Sequence, residues 1–262
     1  MTRGLSPETQ AGVRHVRERA GYSEDERFGV LEIRGKDAGA FLDAQLPVRV
    51  LDLDTGLGAH TAYLDSKGRV THDLRLFRLQ DSYWILVRRS DLGSLIAKLE
   101  TYHIREELTV RSLESGLAVW ELHGPAAPEI LGRLSGFRIP PDPYAHLDLV
   151  MGGATVRYMV DPWSGDPGGH LIVGRDAAEP LRAALRGADV TLVDASVLEV
   201  LRIEGGVFEQ GVDLDERTLL LELGRPEMVS HQKGCYLGQE TIARVHSRGH
   251  VNRRFLGLEL EG

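Results

Sequence analysis

The residues best suited to chemistry lie in the stretch KGCYLGQE, residues 233–240, which holds the chain's single cysteine, Cys235. One cysteine cannot form an intrachain disulfide, so this thiol is free within the chain. Lys233 stands two residues before it, Gly234 and Gly238 flank it, and ETIARV follows with helical spacing, Ile242 and Val245 on one side. A nearby cation and the unpaired N–H groups of a helix N-terminus both favour thiolate over thiol. The stretch therefore has the make-up of a reactive cysteine. The other common fate of a lone thiol is to pack as a small hydrophobe. One sulfur is too few ligands for a structural metal, which takes about four. His231 and His246 match no metal motif, and no metal site is expected.

Other residues have types that can meet a ligand. Trp163, in DPWSGDP, and Tyr236 offer rings that either stack on a ligand or fill a core. Arg244 and Arg248, with Arg253 and Arg254 beyond, lie in the one net-basic segment. Residues 225–262 carry +2 while the whole chain carries −8. Such arginines either meet an anion or stay solvated. SGDPGG lacks the Lys-Ser/Thr of a phosphate loop. His170, which follows it, reads as a surface histidine at the start of a strand.

The elements that must carry these residues read as an α+β protein. FGVLEIR, residues 28–34, is a strand, and the next run places Ala38, Phe41, Leu42 and Gln45 at helical spacing. Residues 60–89 read as three strands turning at Lys67-Gly68 and Asp81-Ser82, with Leu74, Leu76 and Leu79 as buried candidates. Ser90 or Asp91 is positioned to cap the following helix. The pattern then recurs. LEIRGKDAGAFL matches VWELHGPAAPEIL, pairing Gly35 with Gly124, Ala38 with Ala127 and Leu42 with Leu131; WILVRRSDLGSLIAKL matches HLIVGRDAAEPLRAAL. These repeats predict two ferredoxin-like β-α-β-β-β-α-β units with a cleft at their junction. The expected divisions are a polar lead-in (1–27), a first unit (28–115), a second unit (116–193) and a signature segment (194–262) that closes the cleft. Asp194 caps a helix with Val197, Leu198 and Leu201 on its buried stripe, and Gly205-Gly206 stops it. The long irregular run that follows reads as a site or its cover.

Composition bounds the setting. Apolar residues make up 42% and charged residues 27%, ordinary for a globular chain. The acidic balance argues against a nucleic-acid-coated protein. No run approaches a membrane span and the N-terminus has no signal-peptide core, which with one cysteine predicts a cytoplasmic protein with no membrane partner.

KGCYLGQE resembles the K-G-C-Y-x-G-Q-E signature of the YgfZ family, folate-binding relatives of the glycine-cleavage T-protein, an aminomethyltransferase. LRIEGGVFEQGVDLDE, TIARVHSRGHVNRRFLGL, GKDAGAFLDAQLPVRVLDL and YLDSKGRVTHDLRLF also resemble that family. The resemblance runs from about Phe28 onward. It implies a T-protein-like folate-binding body, tetrahydrofolate or a one-carbon derivative as cofactor, and a role beside iron–sulfur client or assembly proteins. It carries Cys235, Lys233, Gly234, Tyr236, Gly238, Gln239 and Glu240 over as site residues. Two departures stand out. T-proteins carry an Asp pair where this chain has His72-Asp73, so Asp73 alone remains for acid–base help. They also place a pterin-pairing glutamate where this chain has His170, and a neutral imidazole cannot accept two parallel N–H bonds. Asp166 and Glu222 are the substitutes considered. VNRRFLGLELEG looks like the first strand of the family's C-terminal barrel, the rest being largely absent. The function expected is a folate-binding accessory protein in iron–sulfur cluster assembly or repair. A folate-dependent aminomethyltransferase and a tRNA-modification protein are the alternatives.

Overall fold

Glycines at matching places in two strand-to-helix turns organise the chain. Gly35 (φ +146°) and Gly124 (φ +129°) lie where a Cβ would fall 2.1 Å from the Glu107 carbonyl oxygen and 2.5 Å from that of Arg19, respectively. Only glycine lets the backbones approach so closely. The computed structural model describes residues 5–257, with the side chain of Arg248 excepted, and divides into two compact units. The first unit comprises residues 1–27 with 114–207; the second comprises 28–113 with 208–262.

In chain order, the first unit opens with helix α1 (Pro7–Glu18) and strand β1 (Gly21–Ser23). The second unit follows with β2 (Phe28–Arg34), α2 (Ala38–Gln45), β3 (Gly58–Leu64), β4 (Val70–Arg78), β5 (Ser82–Arg88), α3 (Leu92–Tyr102) and β6 (Thr109–Ser112). The chain returns to the first unit for β7 (Leu117–His123), α4 (Ala127–Ser135), β8 (His146–Met151), β9 (Ala154–Val160), β10 (Gly168–Gly174), α5 (Ala178–Gly187), β11 (Thr191–Leu192) and α6 (Ala195–Glu204). Helix α7 (Gln239–Arg248) belongs to the second. This is the mixed α+β architecture expected, with one sheet in each unit.

The second unit's sheet runs β3-β4-β5-β2-β6. Period-2 alternation puts Leu31, Ile33, Leu74, Leu76 and Ile85 on the face packed by Phe41 and Leu42 of α2 and Leu95 and Leu99 of α3. Ala38, Phe41, Leu42 and Gln45 are all buried, as the helical spacing required. Glu32, Asp73 and Arg75 alternate onto the other face. Leu79 is only half-buried. Helix α3 differs from expectation at its start: neither Ser90 nor Asp91 makes a side-chain cap bond, and a 3-10 turn over Arg89–Asp91 leads into it instead.

The first unit's sheet runs β11-β1-β7-β10-β9-β8. Ala118, Trp120, Leu122, Leu171 and Val173 face Ile130 and Leu131 of α4 and Leu181 and Leu185 of α5. Residues 5–27, read as a lead-in or exposed helix, are more than that. Ser6 caps α1 by accepting from the Thr9 N–H, and β1 is buried throughout, antiparallel to β7 and parallel to β11. In the second unit the corresponding slot beside β2 is filled by β6. The repeat in the first unit is thus completed from a distant stretch of chain. Asp194 caps α6 with bonds from the Ser196 and Val197 N–H groups, and Val197, Leu198 and Leu201 pack with Val16 of α1.

Residues 251–257, read as the start of a barrel strand, form no strand. Phe255 instead donates its N–H to the Glu222 carbonyl and packs edge-on to Phe208. The remainder of that predicted strand, residues 258–262, lies outside the described residues.

Candidate functional site

The signature segment of the second unit is held by its lysine. The Lys233 ammonium is 1% exposed and donates to three carbonyls, Asp43 at 2.5 Å, Leu46 at 2.8 Å and Val48 at 2.6 Å, with the Asp43 carboxylate at 3.3 Å. Three donors meet three acceptors, so the side chain works as a staple between the segment and the loop after α2. Burial pulls its pKa below the usual lysine value, with Asp43 opposing. The sequence placed Lys233 as a cation serving the thiol; its hydrogens are committed to these carbonyls.

Cys235 is exposed. It precedes α7 without joining its first turn, because Gly238 (φ +83°) caps that helix and Gln239 begins it. The helix-terminus contribution expected for the thiol is therefore weak, since it fades beyond the first turn. Tyr236 turns inward beside Phe208, Met228 and Ile242, with the Lys233 ammonium 5.4 Å from its ring centre. Burial pushes its hydroxyl up to about 12. Gln239 is half-buried, and Glu240 and Arg244 are exposed on α7. The expected ligand contact of the Arg248 side chain lies outside the described residues. His231 and His246 stack face to face with centroids 3.6 Å apart. Arg253 is paired with Glu222 at 3.0 Å.

Asp73, also in the second unit, is locked in a buried charge cluster. Its carboxylate accepts from Arg75 and lies 2.6 Å from His60 Nε2. Burial works to raise its pKa, but Arg75 and His60 outweigh it and hold the carboxyl below the usual range. His72 alternates to the helix-covered side, 2.8 Å from Ser94 Oγ, and burial lowers its pKa to about 4, helped by Lys98.

The first unit holds a second cluster. His170 is 0% exposed, correcting the surface reading. It occupies a register position directly opposite Glu121 on β7, where a strand buried on both faces leaves it no route to water. Its Nε2 lies 3.2 Å from Asp161 Oδ2 and its Nδ1 3.9 Å from Glu121 Oε1. Trp163 donates its Nε1–H to Glu121 Oε1 at 3.1 Å and meets the His123 ring edge-on at 4.4 Å. His123 Nδ1 is 3.2 Å from Ser164 Oγ. Gly168 keeps room for this imidazole: a Cβ there would fall 2.2 Å from His123 Nδ1. Burial raises the Glu121 pKa, His170 and Arg27 opposing, and lowers that of His123 to about 3.

Both alternative carboxylates weighed from the sequence are taken. Asp166 pairs with Arg17 at 2.5 Å, and Glu222 with Arg253. Trp163 and His170 are thus brought together by Glu121, which sequence reasoning passed over with His123 and Asp161. The available signal was a glutamate and a histidine on one face of VWELH, a run otherwise apolar enough to be buried.

Comparison with known proteins finds one family for most of the chain. The model of the GCVT N-terminal domain matches residues 2–233. The chain is 32% identical over 232 residues to the tRNA-modifying protein YgfZ of Edwardsiella ictaluri, covering 86% of this chain and 66% of that one. It is 26% identical over 256 residues to an aminomethyltransferase of a Synechococcus species (95% and 70% covered). It is 27% identical over 275 residues to the mitochondrial iron-sulfur cluster assembly factor IBA57 homolog of Aspergillus fumigatus (92% and 58% covered). The glycine cleavage system aminomethyltransferase T of Bartonella henselae superposes with a TM-score of 0.80 at 21% identity, over 92% of this chain and 67% of that one. Among the described residues no helix is long and apolar enough to cross a membrane.

Proposed function

This chain belongs to the GCVT N-terminal domain family, and on that premise we propose that it is a cytoplasmic folate-binding accessory protein for iron–sulfur cluster assembly or repair. Cys235 carries the thiol step. The observation that bears most weight is the contrast within KGCYLGQE: an exposed sulfur on a turn whose neighbours, Lys233 and Tyr236, are buried and fixed. A structural cysteine has no use for exposure, whereas a thiolate that takes the outer sulfur of a carrier's persulfide, releasing the carrier as its thiolate, or that ligates a cluster iron needs both access and a set position. The relative named as an iron-sulfur cluster assembly factor supports the client class.

Tetrahydrofolate fits the first unit's cluster by its donor set. Glu121 Oε2 and His123 Nε2 are buried without a protein partner, and a pterin edge carries N–H groups able to meet them. When bound, the cofactor supplies a carrier for one-carbon units; the chain's part is to hold the ring and exclude water. Trp163 and His170 position Glu121 for that task. The aminomethyltransferase reading gains less support, because a general base must be free to take a proton and Asp73 is committed to Arg75 and His60. The tRNA-modification reading is carried by the 32% relative's name.

Complementation tests the proposal. Cys235→Ala is expected to fold and bind tetrahydrofolate like the parent yet fail to restore iron–sulfur enzyme activity in a deletion strain. Full rescue removes the thiol step. Restored tRNA modification in a strain whose iron–sulfur enzymes never depended on the protein moves the role to tRNA.

A further inference from the structure

Buried polar atoms are nearly always partnered, so each exception asks for an explanation. Among the described residues, Glu121 Oε2 and His123 Nε2 are two such exceptions on one strand face, in side chains each 1% exposed. Their other atoms are clamped. Trp163 holds Glu121 Oε1, and Ser164 lies against His123 Nδ1. The clamps fix both groups so that the unpartnered atoms face the same side of β7, two residues apart. Placing a carboxylate there is costly unless donors reach it.

We propose that Glu121 is the specificity-determining side chain of the first unit, its Oε2 accepting the N–H donors of an aminopyrimidine-type ring edge, with His123 Nε2 beside it. This rests on the folate reading and goes further, since it moves ligand recognition from position 170 to the facing residue of the neighbouring strand. His170 becomes a positioning residue, held by Asp161 and lying against Glu121 Oε1. The second unit provides the internal contrast. Glu32 is in register with Trp84 on β5 as Glu121 is with His170 on β10, and Trp84 Nε1 likewise reaches it at 3.4 Å. There, however, Arg111 of β6 takes the second oxygen at 2.9 Å, whereas β1 puts Ser23 in register with Glu121. The second unit's glutamate is consumed by a salt bridge; the first unit's is kept for a ligand.

The test is titration of the full chain with 5-formyltetrahydrofolate and with 2-amino-4-hydroxypteridine, followed by calorimetry and tryptophan fluorescence. Both should bind. Glu121→Gln should weaken both by about 10- to 100-fold, the range for losing a hydrogen bond to a charged group, while melting no lower than the parent. Trp163→Phe should weaken them several-fold, and Glu32→Gln should bind like the parent. Unchanged affinity in Glu121→Gln and Trp163→Phe overturns this inference and leaves the folate reading standing. Glu121-dependent binding of the pteridine without binding of the folate does the reverse. Binding of neither probe overturns both.

Discussion

Glu32 and Glu121 occupy the same place in two copies of one strand, yet they live under different electrostatics. Each sits on the sheet face away from the paired helices, three residues before a glycine of positive φ, within reach of a tryptophan Nε1. Glu32 meets an arginine on the neighbouring edge strand; Glu121 meets a buried histidine and no arginine on β1. The difference traces to which stretch of chain fills the edge slot. In the second unit it is β6, directly after α3, and it brings Arg111. In the first it is β1, from the far N-terminal side, and it brings Ser23. A duplicated scaffold retains its turns and core while edge strands and their charges diverge. The buried trio His60, Asp73 and Arg75 illustrates the same point. Its counterparts by register, Asp148 and Arg157, form a two-bond ion pair in which Asp148 is exposed.

Substitutions at paired positions measure how far the likeness extends. Gly35→Ala and Gly124→Ala should cost most, about 4 kcal/mol or more each, because a Cβ collides with backbone at a φ that side chains avoid. Urea unfolding of both variants checks it, and a large cost at one glycine only would break the equivalence of the two turns. Arg75→Leu should cost about 3–5 kcal/mol by stranding the buried Asp73 carboxylate, whereas Arg157→Leu should cost about 1 kcal/mol or less. Equal losses would mean that the two strand pairs are electrostatically alike after all.

The buried histidines set the pH response. His72 and His123 have folded pKa values near 4 and 3, below the ordinary histidine value of 6.5. Below pH 6.5 the unfolded chain therefore binds protons that the folded one refuses. The stability these groups contribute is complete above pH 6.5 and drains as pH falls through 4 and 3, by roughly 3–5 kcal/mol per histidine. Unfolding followed across pH 7 to 4 should show that slope, and His123→Asn should flatten part of it. Glu121 acts in the opposite sense. Its folded pKa is raised, so its ionisation costs stability as pH climbs above the ordinary glutamate value. Glu121→Gln should thus raise the melting temperature at pH 7, while Glu32→Gln should lose up to about 1 kcal/mol with the Arg111 pair. The smallest effect belongs to Cys235→Ala, expected within about 0.5 kcal/mol of the parent for an exposed position. Its thiol should be alkylated in the native parent without unfolding, and labelling that requires denaturant would contradict the exposed placement.

Much of this was readable without coordinates. The matched glycines, alanines and leucines announced the repeat because close packing in a strand–turn–helix unit permits few alternatives at those positions. The caps differed: Asp194 takes both N–H groups at its helix start as anticipated, but Asp91 does not, since a 3-10 turn already serves that end. Cys235 and Lys233 were picked out by type and spacing, yet which of them would be buried was not, because burial depends on what the loop after α2 presents. The KGCYLGQE spacing suggested that lysine would serve cysteine; three carbonyls from residues 43, 46 and 48 claimed it first.

The amino-acid order by itself determined the local periods, the turn glycines, the α+β class and the presence of one free thiol. All of these are properties of neighbours along the chain. The tertiary structure alone decided that β1 would complete the first unit's sheet, that Glu121 would face His170, and that the Asp73 carboxylate would be paired in place by Arg75 and His60. Those outcomes hang on strand register, which joins residues distant in sequence and sets whether a buried charge finds a partner or is left for a ligand.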